Sequence, residues 1–161
     1  MPKSKLSAFA ILKSAFYRTW DLLLFLSANG SWRLMPLEKL VIEAVLQALS
    51  APLASVVRAQ LKQRFFIERS SSARINVIRF YEQDPAKRIA DERFLDRMYS
   101  VRLSTADSED TAHVRFYKGY IFAVEFQKSP TYYGNNACVR SVTVDSPRKG
   151  FTREIDRAEH G

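Results

Sequence analysis

The chain has one cysteine and two histidines in 161 residues. A single thiol, Cys138, forms no internal disulfide and builds no Cys-rich zinc site. Two histidines, His113 and His160, supply no histidine cage within one chain, so no metal is expected and no cofactor is implied. The sparse cysteine also favours a reducing compartment, and the expected location is cytoplasmic. Five glycines and six prolines exclude low-complexity and collagen-like chains. No P-loop, GxGxxG, GxSxG, HExxH or paired-carboxylate motif occurs, so the expected function is not enzymatic. The first twenty residues contain no acid, and Lys13, Arg18 and Asp21 interrupt their apolar stretch, which excludes a transmembrane helix.

Hydrophobic residues make up 47% of the chain and charged residues 26%, an ordinary globular composition for one domain. The formal net charge is +8, which attracts polyanions and acidic surfaces but also serves plain solubility.

Three regions follow from composition. Residues 1–31 form an arm carrying Lys3, Lys5, Lys13 and Arg18. Placed at about 100° per residue, residues 6–26 make an amphipathic helix. Ile11, Leu12, Ala15, Ala8, Phe9, Phe16, Trp20, Leu22, Leu23 and Leu26 fall in one half, and Lys13, Tyr17, Asp21, Ser14, Ser7 and Arg18 in the other, with Leu6, Leu24 and Phe25 as exceptions. The expectation is that the apolar half packs on the domain, burying Trp20. A second copy, an organellar targeting role and a membrane-surface helix are the alternatives. Translation from Met35 is another, and would omit the arm. Residues 146–161 read as a polar, mobile tail.

Residues 32–145 read as an α+β domain, with N-terminal helices packed on one face of an antiparallel sheet of five or six strands. Pro36 opens a helix to about Ser50, with a stripe of Leu37, Leu40, Val41, Ala44, Val45, Ala48 and Leu49. Ser50 caps a second helix to about Arg64, with Pro52 in its first turn, Leu53, Val56, Val57 and Leu61 apolar and Gln60 on its polar face. Residues 65–69, 74–81, 99–105, 112–117, 120–127 and 138–145 read as strands. Asp84-Pro85 begins a short helix to residue 97, with Ile89, Phe94, Leu95 and Met98 inward. Phe116, Phe122, Val124 and Phe126 share a buried face only if the hairpin between them holds an odd residue. A three-residue loop, Tyr117-Lys118-Gly119, with a G1 bulge supplies it.

Several constellations carry candidate chemistry. The outward sheet face presents His113, Arg102, Arg115 and Arg140, which suits phosphate pairing or cross-strand pairing with Glu125. The segment 128–137 is longer than usual hairpin connections, and Tyr132, Tyr133, Asn135 and Asn136 have the composition of a binding loop. Folding of this loop over a core edge is the alternative. Cys138 is expected to be a small buried hydrophobe rather than a nucleophile served by His113. Asp107–Asp110 reads as a solvated acidic turn. Candidate binding residues are therefore Tyr132, Tyr133, Asn135, Asn136, Arg115 and Arg102. The expected function is an interaction module with a protein partner or with itself. Binding to nucleic acid or an anionic membrane is the alternative.

Overall fold

The computed structural model describes residues 16, 18–27, 29–70, 72–105, 108–133 and 137–145. The expected helical turns at residues 6–15, Asp107 of the acidic turn, Asn135, Asn136 and the tail lie outside them.

Residues 18–26 are helical and are called α1. Then follow β1 (Gly30–Ser31), α2 (Pro36–Ala48), α3 (Ala51–Leu61), β2 (Phe65–Arg69) and β3 (Ile75–Phe80). Two 3-10 turns, Pro85–Lys87 and Glu92–Phe94, lead to β4 (Asp96–Ser104), β5 (Glu109–Tyr117) and β6 (Tyr120–Phe126). A third 3-10 turn, Pro130–Tyr133, precedes β7 (Cys138–Asp145). The fold is α+β, and its seven strands form one antiparallel sheet in the order β1-β2-β3-β6-β5-β4-β7. The strand beyond the expected six is β1, a two-residue pairing of Gly30 and Ser31 with Glu68 and Ile67. It is too short to leave a period-two signal.

Both α2 and α3 cover one face, called inner. Val41, Val45 and Val57 of the helices meet Ile67, Ile78, Val101, Leu103, Val114, Phe116, Val124 and Phe126 of the strands in one core. Pro36 occupies the first turn of α2, where its missing N–H costs nothing. Glu38 accepts the Met35 amide at 2.7 Å and so caps the same turn. The short helix expected over 85–97 is instead two 3-10 turns, each closed by an aspartate, Asp84 and Asp91, that accepts an amide two residues on. Side-chain capping at both ends of so short a segment competes with a continuous α-helix. Ile89 and Phe94 are buried as expected. Leu95 is exposed, and Met98 lies on the outer face opposite Arg115, because β4 already begins at Asp96.

The β5–β6 hairpin does contain the odd residue, but in a different place. Tyr117 pairs Tyr120 across a two-residue turn, Lys118-Gly119, with φ of 51° and 80°. Both values are positive, as a type I′ turn requires. The extra residue is Phe122, since Phe116 pairs Ile121 and Arg115 pairs Ala123. A bulge inside β6 therefore keeps Val114, Val124 and Phe126 inward and sends Phe122 out, 37% exposed, correcting the expectation of a buried ring. The two-residue turn prevails because the hairpin tip is clasped from three sides. Lys118 and Gly119 amides donate to Leu95 and Phe94 carbonyls, at 2.8 and 2.9 Å. The Ile89 amide donates to the Gly119 carbonyl at 3.0 Å. Gln60 of α3 completes the clasp. Its Nε2 donates to the Lys87 and Gly119 carbonyls, at 2.7 and 2.9 Å, and its Oε1 accepts the Ile121 amide at 2.9 Å. Gln60, expected on a polar solvated face, is fully buried. A Cβ at Gly119 would lie 2.4 Å from the Ile89 carbonyl oxygen, so both its φ and the close approach demand glycine.

A second buried polar device joins α2 to the sheet. Arg69 points inward from β2 and forms a two-pronged pair with Glu38. Nε lies 3.1 Å from Oε1 and Nη2 lies 3.0 Å from Oε2. Arg69 also donates to Ser31 Oγ at 2.9 Å and to the Arg33 carbonyl at 3.2 Å. The pair thus holds together β1, β2 and the first turn of α2.

Candidate functional site

The outer face of the sheet has two parts. Its β2–β3 end receives α1, and its β4, β5 and β7 strands present polar side chains.

The docking of α1 centres on a buried carboxylate, with Leu24 half-buried and Phe25 packed against Trp32 beside it. Asp21 is fully buried and accepts hydrogen bonds from Arg79 Nη2 of β3 and from the Tyr81 hydroxyl. Burial, then the bond to Asp21, pushes the Tyr81 hydroxyl above its ordinary pKa. Trp32 donates its indole N–H to the Tyr81 oxygen at 3.0 Å. Its ring packs on Phe25 and Phe66, with centroids 5.0 and 5.2 Å away. A Cβ on Gly30 would strike the Phe66 ring at 2.3 Å, so glycine lets β1 close over that ring.

The consequence for α1 is an inversion of the expected packing. At about 100° per residue, Leu22, Leu26, Thr19, Leu23, Phe16 and Trp20 occupy a sector roughly opposite Asp21. Leu26 is 71% exposed, Phe16 65%, Leu23 55%, Leu22 50% and Trp20 46%. The expectation that Trp20 is mostly buried is therefore corrected. The physical reason is that a carboxylate with two partners cannot be turned to solvent without stranding Arg79 and Tyr81. The helix is oriented by its one acid, and its apolar half faces away from the domain.

On the rest of the outer face, Ser100 of β4, His113 of β5 and Asp145 of β7 meet. Ser100 Oγ donates to Asp145 Oδ2 at 2.5 Å and lies 2.9 Å from His113 Nδ1. Asp145 Oδ2 is 3.7 Å from the same nitrogen. In a hydrolytic triad the hydroxyl and the carboxylate sit on opposite ring nitrogens. Here both crowd Nδ1, and the serine proton already points at Asp145, so the trio works as a cross-strand clasp. The hydroxyl has one hydrogen, and with that given to Asp145 the Nδ1–H must be the donor to Oγ. His113 also lines an open cleft of about 400 Å³ with Ser70, Arg74, Ile75, Glu125 and Gln127.

The six candidate binding residues separate. Arg115 pairs with Asp96 at 3.4 Å and Glu125 at 3.6 Å across neighbouring strands. Arg102 is exposed on β4. Tyr132 is exposed, with Lys128 Nζ 4.2 Å from its ring centre. Tyr133 is buried, and its hydroxyl donates to Asp110 Oδ2 at 2.9 Å. Asn135 and Asn136 lie outside the described residues. The structure thus brings Tyr132 and Tyr133 to one turn with opposite orientations, and brings neither to Arg102 or Arg115. Asp110 is buried in β5 rather than in a solvated turn. Cys138 is exposed at the start of the edge strand β7, with Sγ 3.5 Å from the Ser104 carbonyl, correcting the expected burial. It sits opposite Ser104, whereas His113 sits opposite Ser100, four residues away along β4. At about 3.3 Å per residue this separates the thiol from the imidazole by about 13 Å.

Tyr133 gives a pH signature. Burial, then the bond to Asp110, pushes its hydroxyl up to about 12. A folded-state pKa above the unfolded value means the stabilisation is complete below about pH 10 and is lost as pH rises through about 12. Urea melts between those pH values are expected to show a falling midpoint, and Tyr133→Phe to flatten that fall. An equally steep fall in the variant would assign it to other groups.

Among the described residues, no three His, Cys, Asp or Glu side chains come together as a metal site, and no helix is long and apolar enough to cross a membrane. No family model matches the chain, and neither a curated protein nor a solved structure matches it.

Proposed function

We propose that the protein is a non-enzymatic interaction module that docks through the outward half of α1. The observation that carries this reading is the inverted helix. Asp21 anchors α1 to β3 and Tyr81, and the anchoring turns Phe16, Trp20, Leu22, Leu23 and Leu26 away from the core. Contiguous exposed apolar surface of this kind marks an interaction site on a soluble domain. On the outer sheet face both partners of His113 crowd one ring nitrogen, so the Ser100–His113–Asp145 trio does not support a proton relay.

The test is a Leu23→Glu/Leu26→Glu double variant of the full chain. Both side chains point to solvent, so the unfolding free energy is expected to change by no more than about 0.5 kcal/mol, as for surface substitutions, and the melting temperature to move little. Binding of an apolar dye such as anilinonaphthalene sulfonate is expected to fall. A drop of several degrees in melting temperature would show that the leucines are core, and would remove the docking face.

A further inference from the structure

We propose that the occupant of this face is an anionic lipid surface, on which α1 lies in the plane of the interface. The proposal rests on the docking reading above and adds its chemistry. Two observations select it. The first is the side-chain set: Trp20, Phe16, Leu22, Leu23 and Leu26 share the outward face, and Arg18 lies exposed beside them. An aromatic and leucine face bordered by a long basic side chain is what the headgroup boundary accommodates. The rings and leucines enter the acyl edge, and the guanidinium extends back to the phosphates.

The second is charge. The first twenty residues carry Lys3, Lys5, Lys13 and Arg18 and no acid, and Asp21, the first acid, is already buried against Arg79 and Tyr81. An anionic bilayer supplies the complementary sign to Arg18 and to the basic sequence that precedes it. Neither the apolar face nor the basic charge gives firm attachment alone, and their combination does.

The proposal is tested by sedimentation of the full chain with vesicles of phosphatidylcholine alone and with added phosphatidylglycerol. Binding to the anionic vesicles is expected, with little to the neutral ones, and a decline as salt is raised. Leu23→Glu/Leu26→Glu is expected to abolish it. Replacement of Lys3, Lys5 and Lys13 together by Gln is expected to weaken it on the order of a hundredfold. Equal binding to both vesicle types, or no effect of the lysine replacements, would overturn the proposal. So would absence from all vesicles combined with a dimer in light scattering that the leucine variant dissolves. That result assigns the face to a second copy and leaves the docking reading standing. Salt-labile capture of duplex DNA by parent and leucine variant alike, without vesicle binding, would assign the charge to nucleic acid and also overturn it. Loss of the docking reading itself is seen separately, in the melting of the leucine variant.

Discussion

Arg69→Ala is expected to lower the unfolding free energy by about 3–5 kcal/mol, because it leaves the Glu38 carboxylate buried with no cation. The Glu38 side chain is fully buried and that of Arg69 nearly so. The loss is compounded by geometry, since the same guanidinium holds Ser31 and the Arg33 carbonyl and so keeps β1 on the sheet. Glu38→Ala is expected to cost a similar amount, and it also removes the acceptor for the Met35 amide. The double variant Arg69→Met/Glu38→Leu is expected to recover most of the loss, because replacing both members by apolar groups removes the desolvation cost along with the attraction. Urea denaturation of the three variants checks this. Single variants within about 1 kcal/mol of the parent would mean that water reaches the pair.

Gln60→Leu is expected to cost about 3–6 kcal/mol, from three backbone groups at about 1–3 kcal/mol each. The Lys87 carbonyl, the Gly119 carbonyl and the Ile121 amide all bond to this one side chain. Gly119 retains the Ile89 amide, so its share is the smallest. Leucine fills nearly the same volume, which separates lost hydrogen bonds from lost packing. The effect should be visible in thermal melts and in faster amide exchange at Ile121. A variant melting with the parent would show that the hairpin tip satisfies itself without α3.

The elements rich in local signal were legible in the sequence. Of the i,i+3 and i,i+4 stripe, Leu37, Val41, Ala44 and Val45 are buried as read, whereas Leu40 and Ala48 are exposed and Ile42 and Leu46 are buried in their place; β2 occupies residues 65–69 as read. Parity across the β5–β6 hairpin demanded an odd residue, and one is there. Its position was not legible, because a turn and a bulge satisfy the same parity. What selects Phe122 is the clasp on Gly119, built by Gln60 and by residues 89–95, which lie tens of residues away in the chain. The same limit applies to the three buried polar residues that organise the fold. Asp21, Glu38 and Gln60 look like solvent-facing positions until Arg79, Arg69 and the Gly119 carbonyl are placed beside them. The candidate site shows the limit most plainly. A helical wheel divides α1 into two halves but carries no information on which half meets the domain. One carboxylate with two long-range partners decided it, against the apolar majority. Tyr132 and Tyr133 were legible as a pair, but alternation of burial within a 3-10 turn was not.

Mechanically, the sheet is two ribbons with a narrow seam. One ribbon is β1–β2–β3 and the other is β6–β5–β4–β7. The ladder between them is three pairs long, Ile75 to Glu125, Asn76 to Val124 and Val77 to Ala123, extended by the Phe126 amide's bond to the Arg74 carbonyl at 2.7 Å, whereas β4 and β5 share nine. The α1 anchor, Asp21 on Arg79, grips the smaller ribbon alone. Tension applied through α1 is therefore delivered first to β3. It passes to the larger ribbon through that short ladder and through α2, whose Glu38 holds β2 while its body rests on β4, β5 and β7. The helix that faces outward is thus attached at the compliant side of the molecule, and the stiff four-stranded side is sheltered behind the seam.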